Sequence, residues 1–339
     1  MLNIRKTITK IIFKTLSLLS IDVKADNYLE KGLMLFHTHK YKEALREFNT
    51  VIKKEPNNTI AYLDKGVLLS YIGRYQEAVE TYNILLKYDP EDPAAYNNKG
   101  NALFNLGKYQ EAIESYDMAI NLYSKIKANE HVANGYAGKG EALIRMEKLE
   151  EALESFNLAI QNNPEFVDAY FYKGLALTEL DKLQDAIICY DLAIKYKNDY
   201  ASAYHNKAAA FQKLENLAEA IKQYDLAIKY KPDNTDSYYN KALVLMQLDK
   251  SEEALKQFNL AIKYNPYDSG SYFQRGLLLG DKGKYKEAIK EFDKAIKYKP
   301  DYAQAYYYKG LALNIIGYTK EAEKAFYKAK SFEVKNHEK

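Results

Sequence analysis

The chain has 339 residues, of which 47% are apolar in type, 28% charged and 14% aromatic. Lys and Arg total 49 against 46 Asp and Glu, a formal net charge of +3, which argues against a basic nucleic-acid coat or an acidic disordered tail as the main business of the chain. One cysteine, Cys189, excludes an internal disulfide framework and any multi-cysteine metal site, and no run of 18 apolar residues marks a membrane-spanning helix.

Residues 1–24 stand apart from the rest. Arg5, Lys6, Lys10 and Lys14 precede any acid, an apolar run follows from Leu16 to Ile21, and Val23-Lys24-Ala25 fits a small-x-small cleavage site. The same stretch reads equally as an amphipathic helix, with Ile4, Ile8, Ile11, Ile12, Leu16 and Leu19 on one face and Lys6, Lys10 and Lys14 on another. A signal peptide would export the protein, to the periplasm or beyond. A capping helix would leave it in the cytoplasm, and a membrane-surface or transit segment is the third reading. Membrane contact is expected only through these residues.

Residues 25–336 repeat. Tyr28, Tyr62 and Tyr96 are 34 apart, as are Tyr136, Tyr170, Tyr204, Tyr238, Tyr272 and Tyr306, with one longer step of 40 between Tyr96 and Tyr136. Four residues after each Tyr stands a small residue, from Gly32 to Gly310, with Ala208 and Ala242 the two that are not glycine. Sixteen after each Tyr stands an alanine, from Ala44 to Ala322, and four further on an aromatic, from Phe48 to Phe326. Six units then reach proline, at Pro56, Pro90, Pro164, Pro232, Pro266 and Pro300; Ser124, Asn198 and Val334 hold that place in the others.

Apolar periodicity predicts two helices in each unit, separated by a short punctuator at Gly73, Gly107, Gly283 and Gly317, or at His39, Glu147, Asp181, Glu215 and Asp249. Glycine there is free to take the positive φ that a tight helix–helix turn requires. An acid precedes each of the alanines and falls in the first turn of the second helix, where the dipole favours it.

These residues resemble the tetratricopeptide repeat family, whose 34-residue signature sets aromatic, Gly, Ala, aromatic and Pro at these offsets. Tyr stands where the family usually has Trp. The resemblance implies an all-α, right-handed superhelical solenoid of antiparallel helix pairs. It divides the chain into nine units, 25–58, 59–92, 93–126, 133–166, 167–200, 201–234, 235–268, 269–302 and 303–336, with 127–132 an insert and 337–339 a polar tail. In the ninth unit, Glu323 and Lys330 replace apolar residues that would pack on a following helix, as expected of a terminal repeat.

Catalytic patterns are missing: there is no Walker loop, H-E-x-x-H, G-x-S-x-G or dinucleotide fingerprint. The expectation is a protein without enzymatic activity, cofactor or metal. His37 and His39 read as a solvated turn, and Cys189 as a buried thiol. A cation at position 7 of every unit, from Lys31 to Lys309, could suggest a phosphate ladder. Helical geometry instead places it opposite position 25 of the preceding unit, so Asp191–Lys207, Asp225–Lys241 and Asp293–Lys309 are expected as inter-repeat ties. Nucleic acid is therefore not expected as a partner.

In the family, first helices line a concave groove, with positions 5 and 9 on its floor. The candidate residues are Leu29, Leu33, Leu63, Val67, Asn97, Asn101, Phe171, Leu175, His205, Tyr239, Phe273, Leu277, Tyr307 and Leu311, with Ala137, Glu141, Ala209 and Leu243 between them. Chaperone-binding members clamp a carboxylate with a Lys, Asn and Arg set that is missing here. A largely apolar floor suits peptide segments of other proteins, with Phe171 and Phe273 as anchors. The resulting expectation is an interaction scaffold. A regulatory or targeting subunit of a multi-chain enzyme is the alternative, and an RNA-binding array a distant third.

Overall fold

A computed structural model describes residues 25–337, with side-chain surroundings for 27–333; the basic segment 1–24 and its alternative readings lie outside it. The described residues form eighteen α-helices and no strand. In chain order they are α1 Ala25–His37, α2 Tyr41–Lys54, α3 Thr59–Tyr71, α4 Tyr75–Tyr88, α5 Pro93–Asn105 and α6 Tyr109–Lys125. Next come α7 Asn129–Arg145, α8 Leu149–Asn162, α9 Val167–Glu179, α10 Leu183–Tyr196, α11 Ala201–Lys213 and α12 Leu217–Tyr230. The last six are α13 Thr235–Gln247, α14 Ser251–Tyr264, α15 Ser269–Asp281, α16 Tyr285–Tyr298, α17 Ala303–Ile315 and α18 Thr319–His337. None of them is long and apolar enough to cross a membrane.

The chain divides into two compact units, one ending at Tyr172 and the other beginning at Lys173. Both follow the same local rules. Inside a helix pair, position 15 takes a left-handed conformation: φ is 78° at Gly73, 75° at Gly107, 61° at His39 and 59° at Glu215. The next N–H then reaches back to the carbonyl five residues earlier, as in Lys40 to Leu35 at 2.9 Å and Arg74 to Leu69 at 2.8 Å, which closes the first helix and starts the second. All nine punctuators read from the sequence have positive φ.

Between pairs, an Asn or Asp often caps the next first helix. Asn58 Oδ1 accepts from the Ala61 N–H at 3.0 Å, and Asp92 Oδ1 from that of Ala95 at 2.9 Å. The tyrosine that replaces the family's Trp has its own task here. Tyr170, Tyr204 and Tyr238 donate their hydroxyls to the carbonyls of Pro164, Asn198 and Pro232, six residues back, and so pin the turn that enters the helix.

Packing within a pair turns on the small residue of the first helix. A methyl added at Gly100 would meet the Tyr116 ring at 2.7 Å, and one at Gly276 the Phe292 ring at 2.6 Å, so the aromatic lies flat against bare backbone. Tyr82, Tyr190, Phe48 and Phe156 are fully buried by this means, and Tyr224 and Phe258 are fully buried in the units that have Ala208 and Ala242 instead.

The six extra residues between Tyr96 and Tyr136 do not form a separate insert. With Ser124 in place of proline, α6 runs on to Lys125, and α7 begins early at Asn129. Lys127 supplies the left-handed turn at φ 54°, and His131 sits in the first turn of α7, its ring 4.7 Å from that of Tyr123. Tyr123 and Val132 bury each other with Ala119 and Ile120, which gives the lengthened ends a small core of their own.

Candidate functional site

The first helices carry the expected floor, but much of it is spent on packing. Phe273 is 5% exposed and Phe171 9%, so both are largely buried within the chain itself. Phe273 packs against Tyr302 at 4.9 Å and also meets Phe292 and Tyr308. Leu29 and Leu33 cover the cluster of Phe48, Leu68, Leu35 and Ala44, Leu63 covers that of Tyr82, and Leu277 that of Phe292. Val67, Leu175 and Leu311 are half-buried, and Tyr239 lies edge-on to Phe258 at 5.7 Å. Tyr307 is 46% exposed, resting on Phe326. The apolar side chains at positions 5 and 9 mainly seal neighbouring helices, because position 5 lies at the edge of the inter-helix seam rather than over solvent.

What remains is more polar than expected. Asn101 is exposed and accepts the Tyr116 hydroxyl at 2.8 Å, while Asn97 Oδ1 is buried with no hydrogen-bond partner. His205 pairs its Nδ1 with the buried Ser237 hydroxyl at 2.8 Å, and burial pushes the imidazole below its ordinary range.

A regularity that the sequence contains, but that positions 5 and 9 do not show, explains part of this polarity. Where the packed aromatic of the second helix is Tyr, its hydroxyl emerges on the first helix at position 12 or 9 and meets a polar residue there. Tyr190 meets Thr178 at 2.9 Å, Tyr224 meets Gln212 at 3.1 Å and Tyr116 meets Asn101. The units with Phe at this place have Phe36, Ile144, Met246, Gly280 and Asn314 at position 12. Tyr82 breaks the pattern. It faces Asp64 and also Ser70 at position 12, whose hydroxyl opposes the effect of burial on Tyr82, but the two hydroxyls do not close to full hydrogen-bond geometry.

Two carboxylates on first helices are desolvated. Burial pushes Asp64, on α3, up to about 6, with no charged partner against it. Glu141, on α7, is also raised, chiefly by burial and further by Asp168, while the Tyr172 hydroxyl and Arg145 pull the other way. Glu141 in turn helps to push Tyr172 up to about 12, after burial. The position-7 cations behave as the sequence predicts: Lys207–Asp191 and Lys241–Asp225 each close at 2.6 Å, and Lys309–Asp293 at 2.5 Å. Lys139–Asp117 adds a fourth tie at 2.8 Å, and Arg275 reaches Asn259 at 2.7 Å. Among the described residues no group of three or more metal-ligating side chains comes together. Cys189 is 5% exposed, and burial raises its thiol.

Near-neutral total charge conceals a separation. Residues 25–172 carry 16 Lys and Arg against 22 Asp and Glu, a net −6, and residues 173–339 carry 28 against 23, a net +5.

Comparison with known proteins bears on the repeat itself. A tetratricopeptide repeat model matches residues 63–126 and 138–201, a TPR repeat model 210–249 and 279–314, and a further tetratricopeptide repeat model 235–268. No curated protein matches. Among solved structures, MamA is similar at 23% identity over 49% of this chain and 97% of its own, with a TM-score of 0.46. YrrB, described as a TPR protein with an unusual peptide-binding site, is similar at 23% identity over 57% of this chain and 96% of its own, also at 0.46. Helix pairs with small residue, alanine and aromatic at fixed offsets, matched by these repeat models along most of the described chain, place the protein in the tetratricopeptide repeat family.

Proposed function

We propose that the protein is an interaction scaffold that holds peptide segments of other proteins against its first helices. Membership of a family whose repeats serve protein–protein contact carries this reading. The chain's own contribution is half-buried side chains on those helices, Leu63 and Val67 in the first compact unit and Leu175, Tyr239 and Leu311 in the second, with Asn101 exposed in the first and Tyr307 in the second. Each offers only a modest patch. Affinity then comes from several patches on stacked, preorganised repeats acting together.

A photo-crosslinking residue placed at Asn101 or Tyr307 in the full chain should trap partner segments in the native cells. The same residue at Lys222, exposed on the second helix α12, should not. Crosslinks concentrated at Lys222 would reject the first-helix face as the docking surface.

A further inference from the structure

We propose that the first-helix face of residues 25–172 selects an extended segment of a partner protein bearing two basic side chains, one received at Asp64 and one at Glu141. This rests on the peptide-docking reading and adds the chemistry of the guest.

Unmet polar groups collect on this face. Asp64 is half-buried on α3 without a cation or a hydrogen bond of its own, although desolvating a carboxylate is unfavourable unless something compensates. Beside it the hydroxyl of the fully buried Tyr82 faces that of Ser70 without closing to full hydrogen-bond geometry. On the next first helix, α5, Asn97 holds a buried carbonyl oxygen without a donor. An ammonium or guanidinium group supplies what this set lacks: positive charge for the carboxylate and N–H donors for the free oxygens.

Glu141 offers a second receptor on α7. Its surroundings are the Tyr172 hydroxyl and Asp168 from α9, Arg145 from its own helix, and Tyr116 from α6. The adjacent Gly138 lies against the Tyr116 ring, where an added methyl would meet it at 2.7 Å, so no side chain from position 6 of this unit stands beside the carboxylate. Arg145 supplies only partial compensation, since Glu141 stays above its ordinary value. The net −6 of residues 25–172 attracts a cationic guest at long range, while on their first helices six acids stand against five Lys and Arg.

Spacing follows from helix geometry. Helices α3, α5 and α7 are successive first helices, α3 packing on α5 and α5 on α7. Packed helices lie about 8–10 Å apart, so α3 and α7 are separated by roughly 20 Å. An extended chain advances about 3.3 Å per residue, so the two basic side chains should stand about six residues apart.

The test is fluorescence anisotropy on the full chain with a labelled, otherwise neutral peptide carrying two lysines six residues apart. Binding should weaken about tenfold or more with Asp64→Asn or Glu141→Gln, and similarly when either peptide lysine becomes norleucine. It should also weaken as pH falls through about 6, where Asp64 takes up its proton. Circular dichroism of the variants should match the parent, and the parent peptide should lose affinity with added salt. Equal binding of the norleucine peptide would overturn the basic preference while leaving the docking face in place. Crosslinks confined to second helices together with no peptide binding would remove both. Much tighter binding of a peptide copying residues 1–24 would assign the face to the chain's own basic segment and overturn the partner assignment.

Discussion

Replacing Asp64 with asparagine should make the protein more stable, although it removes a charged surface-facing group. Burial lifts the carboxyl from 3.8 to about 6, so the folded state holds this proton more tightly than the unfolded state. A group of this kind favours folding most below its unfolded value, and that contribution is lost as pH rises through the folded one. Above about pH 6 the folded protein therefore carries an uncompensated carboxylate. A shift of about two units corresponds to about 3 kcal/mol, and partial solvent access reduces the figure to roughly 1–2 kcal/mol. The amide of Asp64→Asn has the same shape and no charge. Urea unfolding followed by circular dichroism should show the gain at about pH 7.5 and its disappearance at about pH 4, and native-state hydrogen exchange should localise it to α3, α4 and α5. A variant that is less stable than the parent at neutral pH, or a gain that does not change with pH, would refute the argument.

The tyrosine hydroxyls give a paired prediction: Tyr82→Phe should cost less than Tyr224→Phe, because Ser70 closes no full hydrogen bond on the Tyr82 hydroxyl, whereas Tyr224→Phe orphans Gln212 at a cost of about 0.5–1.5 kcal/mol, both read as urea midpoints. A double-mutant cycle on Asp225 and Lys241 should give a coupling of about 0.2–1 kcal/mol that shrinks with salt, since the aspartate is 53% exposed. Phe273→Ala should destabilise by about 3–5 kcal/mol as a core deletion; a loss of partner binding with stability intact would refute the core role and favour that of an anchor.

Much of the fold was legible because the repeat writes each local decision nine times. The left-handed turn residues, the acid at the start of each second helix and the Lys–Asp ties all follow from position within the unit. The step of 40 marks six extra residues but not their form: with Ser124 in place of proline, α6 continues to Lys125 and α7 starts at Asn129. The floor was harder to read. Helical phase says which way Phe171 and Phe273 point, but not that a neighbouring helix closes over them. The match of Tyr190 with Thr178 and Tyr224 with Gln212 lay in plain view as a correlation between positions 24 and 12. Asp64 gave no such sign, since nothing in the sequence distinguishes a carboxylate that folding strips of water from one left in it.

Two kinds of polar bond described above differ in what they join. The tyrosine on a second helix meets its acceptor inside its own 34 residues, whereas Lys139, Lys207, Lys241 and Lys309 at position 7 meet the aspartate of the unit before. The first bond travels with a repeat wherever the repeat is placed. The second asks more of a new neighbour, since the lysine ties all meet aspartate at position 25, while Asn259 is met by an arginine, Arg275. Duplication or deletion of a whole unit therefore keeps the first set of bonds intact, and the second wherever the unit before the new junction has aspartate at position 25. Recombination within a unit would separate Tyr from its matched acceptor. Genetic change in such an array is thus channelled towards steps of 34 residues.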